Sequence, residues 1–93
     1  MRVLLAEDDI TTTRTIATLL RNGRAVVDQA ETGEETLELT RHYDYDIVLL
    51  DLELPDMDGY DVVRRMRAGR IDTPVLILSG VSRPQAKVKA FAL

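Results

Sequence analysis

With 93 residues, 45% of them hydrophobic and 30% charged, the chain has room for one small globular domain and not for two. Twelve basic against sixteen acidic residues leave a formal charge of −4, which argues against a surface built to neutralise a nucleic-acid backbone. The lack of cysteine excludes disulfides, thiolate metal sites and Cys nucleophiles, and the apolar runs are far shorter than the ~20 residues that span a bilayer, so the expectation is a cytoplasmic domain with no membrane contact.

Arg2 to Ala6 form an apolar run that breaks at Glu7-Asp8-Asp9, the pattern of a buried strand ending in an acidic turn. From Thr12 to Asn22, Ile16, Leu19 and Leu20 recur at helical spacing, and Gly23 stands where a helix C-terminus would put it. A second strand, Ala25 to Ala30, precedes Thr32-Gly33-Glu34-Glu35, a capping-box pattern that opens a helix through about His42. Ile47 to Leu50, between Asp46 and Asp51, reads as a central strand covered on both faces. Pro55 and Asp58-Gly59 then punctuate a loop before a helix carrying Val62, Val63 and Met66. Thr73-Pro74 introduces a fourth strand, Val75 to Leu78, stopped by Ser79-Gly80, and Ser82-Arg83-Pro84-Gln85 opens a fourth helix containing Val88 and Phe91.

Strands alternating with helices predict an α/β fold, an open, doubly wound parallel sheet whose ligand site lies beyond the carboxyl ends of the strands. Glu7 and Asp8 after the first strand, Asp51 and Glu53 after the third, and Ser79 after the fourth all fall on that rim. Carboxylates gathered in one crevice repel, so they must raise a pKa or bind a cation, and an all-oxygen set favours Mg²⁺ or Mn²⁺ over zinc. An Asp carboxylate can accept phosphate covalently when an ion neutralises the approaching charge, and a hydroxyl such as that of Ser79 can hydrogen-bond a phosphoryl oxygen. Asp9 reads as a helix-starting acid, Asp56 and Asp58 as solvated loop acids, His42 as a surface residue, and Arg64, Arg65 and Arg67 as a charged helix face.

Glu7-Asp8-Asp9 after Leu5-Ala6, Asp51 after Ile47 to Leu50 with Pro55 and Gly59 following, and Thr73-Pro74 leading to Ser79-Gly80 together resemble the receiver domain of two-component response regulators, over the whole chain. The runs around Tyr43 to Asp46, Leu54 to Met57 and Ile77 to Gly80 are similar to alphaproteobacterial cell-cycle regulators of the OmpR type, which carry a winged-helix DNA-binding output domain. The resemblance implies a flavodoxin/CheY-like fold of strand order 2-1-3-4. It also implies a phosphoacceptor at Asp51, charged by a phosphohistidine on a histidine kinase or phosphotransfer protein. Asp8 and Asp51 would hold Mg²⁺, with Glu7 acting through water and Glu53 through its backbone carbonyl, and Ser79 would be the switch hydroxyl beside Gly80.

A complete receiver continues through a fifth strand and helix that bring a conserved Lys, and on this reading residues 1–93 are a receiver truncated before them. Lys87 and Lys89 would lie in the fourth helix, away from the Lys position, so phosphorylation is expected to be weak or absent. Val75 to Leu78 would be an open sheet edge inviting self-association or exchange of the C-terminal segment. Two other functions compete: a receiver-like docking module indifferent to phosphate, and a small aspartate-nucleophile phosphatase, loosely suggested by Asp51-Leu52-Glu53.

Overall fold

Successive strand residues point to opposite faces of a sheet, so an unbroken apolar strand needs cover on both sides. In the computed structural model, residues 1–79 and 89–92 are described, with Ser79 and 89–92 described by their backbone alone. Strand β1 (Arg2–Ala6) obeys the rule: Leu4 and Ala6 join one core cluster, while Leu5 joins the other. Strands β2 (Val26–Ala30), β3 (Ile47–Asp51) and β4 (Val75–Ser79) run parallel to β1 in the order β2-β1-β3-β4, the expected doubly wound arrangement. Leu4, Val48, Leu50 and Ile77 are fully buried, each contributing about 1.5–3 kcal/mol.

Helix α1 (Ile10–Asn22) covers one face, and α2 (Gly33–His42) and α3 (Gly59–Ala68) cover the other. The buried stripe of α1 differs from the expected one. Thr13 and Ala17 are buried, Ile16 and Leu20 pack beside them, and Leu19 is 66% exposed, because three residues on from Ile16 it falls past the edge of the seam. Each helix starts at a side-chain cap: Asp9 accepts from the Thr12 N–H at 2.8 Å, Thr32 from the Glu35 N–H at 3.0 Å, and Asp58 from the Asp61 N–H at 2.8 Å. Asp58, expected as a solvated loop acid, is therefore the N-cap of α3. No helix among the described residues is long and apolar enough to cross a membrane.

The C-terminal segment departs from expectation. Lys89–Ala92 form a fifth strand, β5, antiparallel to β4, where the sequence predicts the end of a helix containing Phe91 and a sheet without a fifth strand. Only nine residues, 80–88, separate the two strands. A parallel crossover needs roughly a dozen or more, so a returning strand on this edge has to be antiparallel. The β4 edge is consequently paired, which removes the ground for self-association through it. Lys89 stands in backbone register with Ser79, not in a helix. Gly80, the capping box from Ser82 to Gln85, Lys87 and Val88 lie outside the described residues.

Candidate functional site at the carboxyl rim of the sheet

Glu7, Asp8 and Asp51 are brought to one point by the parallel register of the central strands. Ala6, the last residue of β1, pairs with Leu50, and Asp51 closes β3 one residue beyond. The Glu7 N–H continues the ladder by donating to the Ala30 carbonyl at 2.9 Å, and its own carbonyl accepts from the Thr13 hydroxyl at 3.3 Å. Glu7 and Asp51 are 3% and 4% exposed, whereas Asp8 is exposed. One carboxylate oxygen from each of the three lies within 4.8 Å of the others.

Both buried acids lack hydrogen-bond partners where they need them most. Glu7 Oε1 and Oε2 and Asp51 Oδ2 are buried with none. Burial first, then the adjoining Asp51 carboxylate and the charges of Asp8 and Asp9, push the Glu7 carboxyl up to about 9. Two buried carboxylates side by side require either a proton shared between them or a cation. Three hard oxygen donors of this kind, with one acid open to solvent, fit a partly hydrated divalent ion such as Mg²⁺.

Glu53 is exposed, and its side chain is not part of the three-acid cluster among the described residues; its backbone bridges to Asp58 across the loop. Ser79 ends β4, next to Leu78, whose backbone partner is Asp51. Asp9 turns away as the α1 cap, taking both the Thr12 N–H and, at 2.6 Å, the Thr12 hydroxyl. Gly59 explains itself by distance. A Cβ there would sit 2.9 Å from the Asp51 carbonyl oxygen and 3.2 Å from Leu52 Cα, both backbone atoms with no rotamer to escape into. Gly59→Ala is expected to cost about 1–3 kcal/mol, measured by urea unfolding, and to shift the Asp51 amide resonance through displacement of the acceptor loop.

Some of the site is not legible in the sequence. Glu7 and Asp8 also line a cavity of about 230 Å³ whose other walls are Ile10, Thr13, Arg14, Gln29 and Glu31. Arg14 lies one helical turn on from Ile10, so their i,i+4 spacing puts both on one face of α1; Gln29 and Glu31 arrive only because β2 lies beside β1. Asp56, expected as a solvated loop acid, instead accepts from two α2 backbone N–H groups, Gly33 at 2.7 Å and Glu34 at 2.9 Å.

Comparison with known proteins agrees with this geometry. The family model described as the response regulator receiver domain matches residues 3–93. The cell cycle transcriptional regulator CtrA of Caulobacter vibrioides is 51% identical over 92 residues, covering 99% of this chain and 40% of that protein. The chain thus spans about 40% of the length of the curated relatives it matches. Among solved structures, the Francisella response regulator 1452 receiver domain superposes with a TM-score of 0.82 at 31% identity, over 90% of this chain and 69% of that one. The response regulator TrrA of Thermotoga maritima, solved in complex with Mg²⁺-BeF, superposes at 0.80 with 28% identity, over 90% of this chain and 73% of that one.

Proposed function

The chain belongs to the response regulator receiver domain family, and on that premise we propose that residues 1–93 act as one phosphoacceptor unit with Asp51 as the residue phosphorylated. Receiver domains are signalling domains of two-component systems, charged by histidine kinases. The observation that carries the assignment to Asp51 is its burial beside Glu7 at the end of β3, with Oδ2 unpartnered and the exposed Asp8 within 4.8 Å.

In the reaction an Asp51 carboxylate oxygen attacks the phosphorus of a phosphohistidine. A P–O bond forms, the P–N bond breaks, and the imidazole leaves with that bond's electron pair and takes a proton. Mg²⁺, when bound, offsets the negative charge that the phosphoryl group brings to an acidic pocket. Asp8 and Asp51 would hold it directly, Glu7 from its buried position through water, and the Glu53 carbonyl from the loop. Burial of Asp51 excludes competing water from the acceptor oxygen, and the backbone pairing of Asp51 with Leu78 supports the next residue of β4, Ser79, as the switch residue. By analogy with the cell-cycle transcriptional regulator to which the chain is 51% identical, the phosphorylated state would control a DNA-binding output domain.

The test is an NMR titration of the backbone amides with Mg²⁺, with and without beryllofluoride as an acyl-phosphate mimic, on wild type and Asp51→Ala. Shifts at Glu7, Asp8 and Asp51 with Mg²⁺, followed by a beryllofluoride response that Asp51→Ala abolishes, are the expected result. A beryllofluoride response that survives in Asp51→Ala would overturn the assignment.

A further inference from the structure

We propose that Asp56 is a positioning residue for the acidic site: a strut that ties the loop after the acceptor strand to the N-terminus of α2 and so sets where Glu53 meets the metal. The inference rests on the receiver reading in taking Glu7, Asp8 and Asp51 as a Mg²⁺ site and the Glu53 carbonyl as a ligand to it.

The loop from Leu52 to Asp58 is a narrow tab. The Gly59 N–H donates to the Leu52 carbonyl at 2.7 Å, the Leu54 N–H donates to the Met57 carbonyl at 3.2 Å, and Glu53 and Asp58 bridge across it. These bonds are internal to the tab and its base, so they fix its shape but not its direction. Leu54 sits in the core with Leu52 and Met57 packed against it, and Asp56 adds a polar tie to a distant helix end. Oδ1 accepts from the Gly33 N–H at 2.7 Å and Oδ2 from the Glu34 N–H at 2.9 Å, in a region 22 and 23 residues away in the chain.

The first N–H groups of a helix have no partner within it and form the positive end of its dipole, so a carboxylate is the group they hold most firmly. The capping of α2 is divided accordingly: Thr32 satisfies the Glu35 N–H, and Asp56 satisfies the two before it. Burial raises the Asp56 carboxyl, but the N–H groups of Gly33 and Glu34, together with those of Asp56 and Met57, more than offset it and hold the carboxyl below its ordinary value. Gly33 is part of the same joint. A Cβ on it would collide with the Met57 side chain, so the glycine lets the tab lie flat on the helix end. Glu31, two residues before Gly33, lines the cavity shared with Glu7 and Asp8. Asp56, three residues from Glu53, therefore ties the loop after the acceptor strand to the helix end that follows Glu31.

The experiment compares Mg²⁺ affinity and amide hydrogen exchange in wild type, Asp56→Ala, Asp56→Asn and Thr32→Ala. Asp56→Ala is expected to weaken Mg²⁺ roughly tenfold and to speed exchange from Glu53 to Met57 as well as at Gly33 and Glu34. Asp56→Asn, which keeps one acceptor oxygen, is expected to fall between it and wild type, and supplies the same readout should the Ala variant not fold. Thr32→Ala removes a comparable α2 cap without touching the tab, so it should lower the melting temperature and leave Mg²⁺ affinity unchanged. Equal Mg²⁺ affinity in wild type and Asp56→Asn, with exchange faster only at Gly33 and Glu34, would overturn the proposal and reduce Asp56 to a helix cap. A wild type that binds Mg²⁺ without a beryllofluoride response would sink the phosphoacceptor reading alone, leaving the strut to be judged on metal affinity.

Discussion

Asp51→Asn is expected to abolish whatever phosphate the wild type takes up from a phosphohistidine donor, because the amide that replaces the carboxylate has no anionic oxygen to attack with. The same substitution is expected to make the protein more stable. Asp51 sits against Glu7 with both side chains buried and Oδ2 unpartnered, so one neutral side chain removes the need for a shared proton or a cation while keeping the shape. Loss of labelling together with a raised melting temperature distinguishes removal of the acceptor from damage to the fold. Labelling that persists in Asp51→Asn at the wild-type rate would place the acceptor elsewhere on the rim, with Asp8 the first residue to test.

Glu7 gives the second large effect, in the pH dependence of stability. Its carboxyl is pushed up to about 9 by burial and by Asp51, against an ordinary value of 4.5 in the unfolded chain. Between those values the folded protein keeps a proton that the unfolded chain has released, so stability falls as pH rises. It is at its full value below the unfolded pKa and stops falling above the folded one. The limiting slope is about 1.4 kcal/mol per pH unit for one proton, reduced in practice by the coupling to Asp51. Glu7→Gln mimics the protonated side chain at every pH. It is expected to match wild type near pH 4.5, to exceed it by on the order of 2 kcal/mol at pH 8, and to flatten the profile between. Saturating Mg²⁺ should flatten the wild-type profile too, since a dication satisfies the same oxygens as the proton. Parallel urea-denaturation profiles for wild type and Glu7→Gln across this range would refute the burial argument.

The two effects pull against each other in one place. Orphan carboxylate oxygens cost folding energy and are also what a cation and a phosphoryl group require. The acidic rim thus gives up folding energy at the point where the chemistry needs it, and substitutions that improve the fold there are expected to remove the function.

What the sequence determines by itself is whatever is encoded over a few neighbouring residues. Apolar runs ending in acids locate β1 and β3 and put Glu7, Asp8 and Asp51 at strand ends, and the Thr32–Glu35 spacing locates the start of α2. The alternation of strands and helices then implies a parallel sheet whose carboxyl rim gathers those acids. Tertiary structure decides what depends on distant neighbours. Leu19 has the right period for a core position and is left exposed, since the seam of α1 is set by the sheet it lies on. Asp56 looks like any loop acid until α2 supplies two N–H groups from 22 and 23 residues away. Lys89–Ala92 contain helix-forming residues, yet they pair with β4, because an open strand edge offers a row of unpaired backbone groups that outweighs local propensity. The raised carboxyl of Glu7 belongs to the same class: the residue type comes from the sequence, whereas its burial against Asp51 exists only once β1 and β3 are in register.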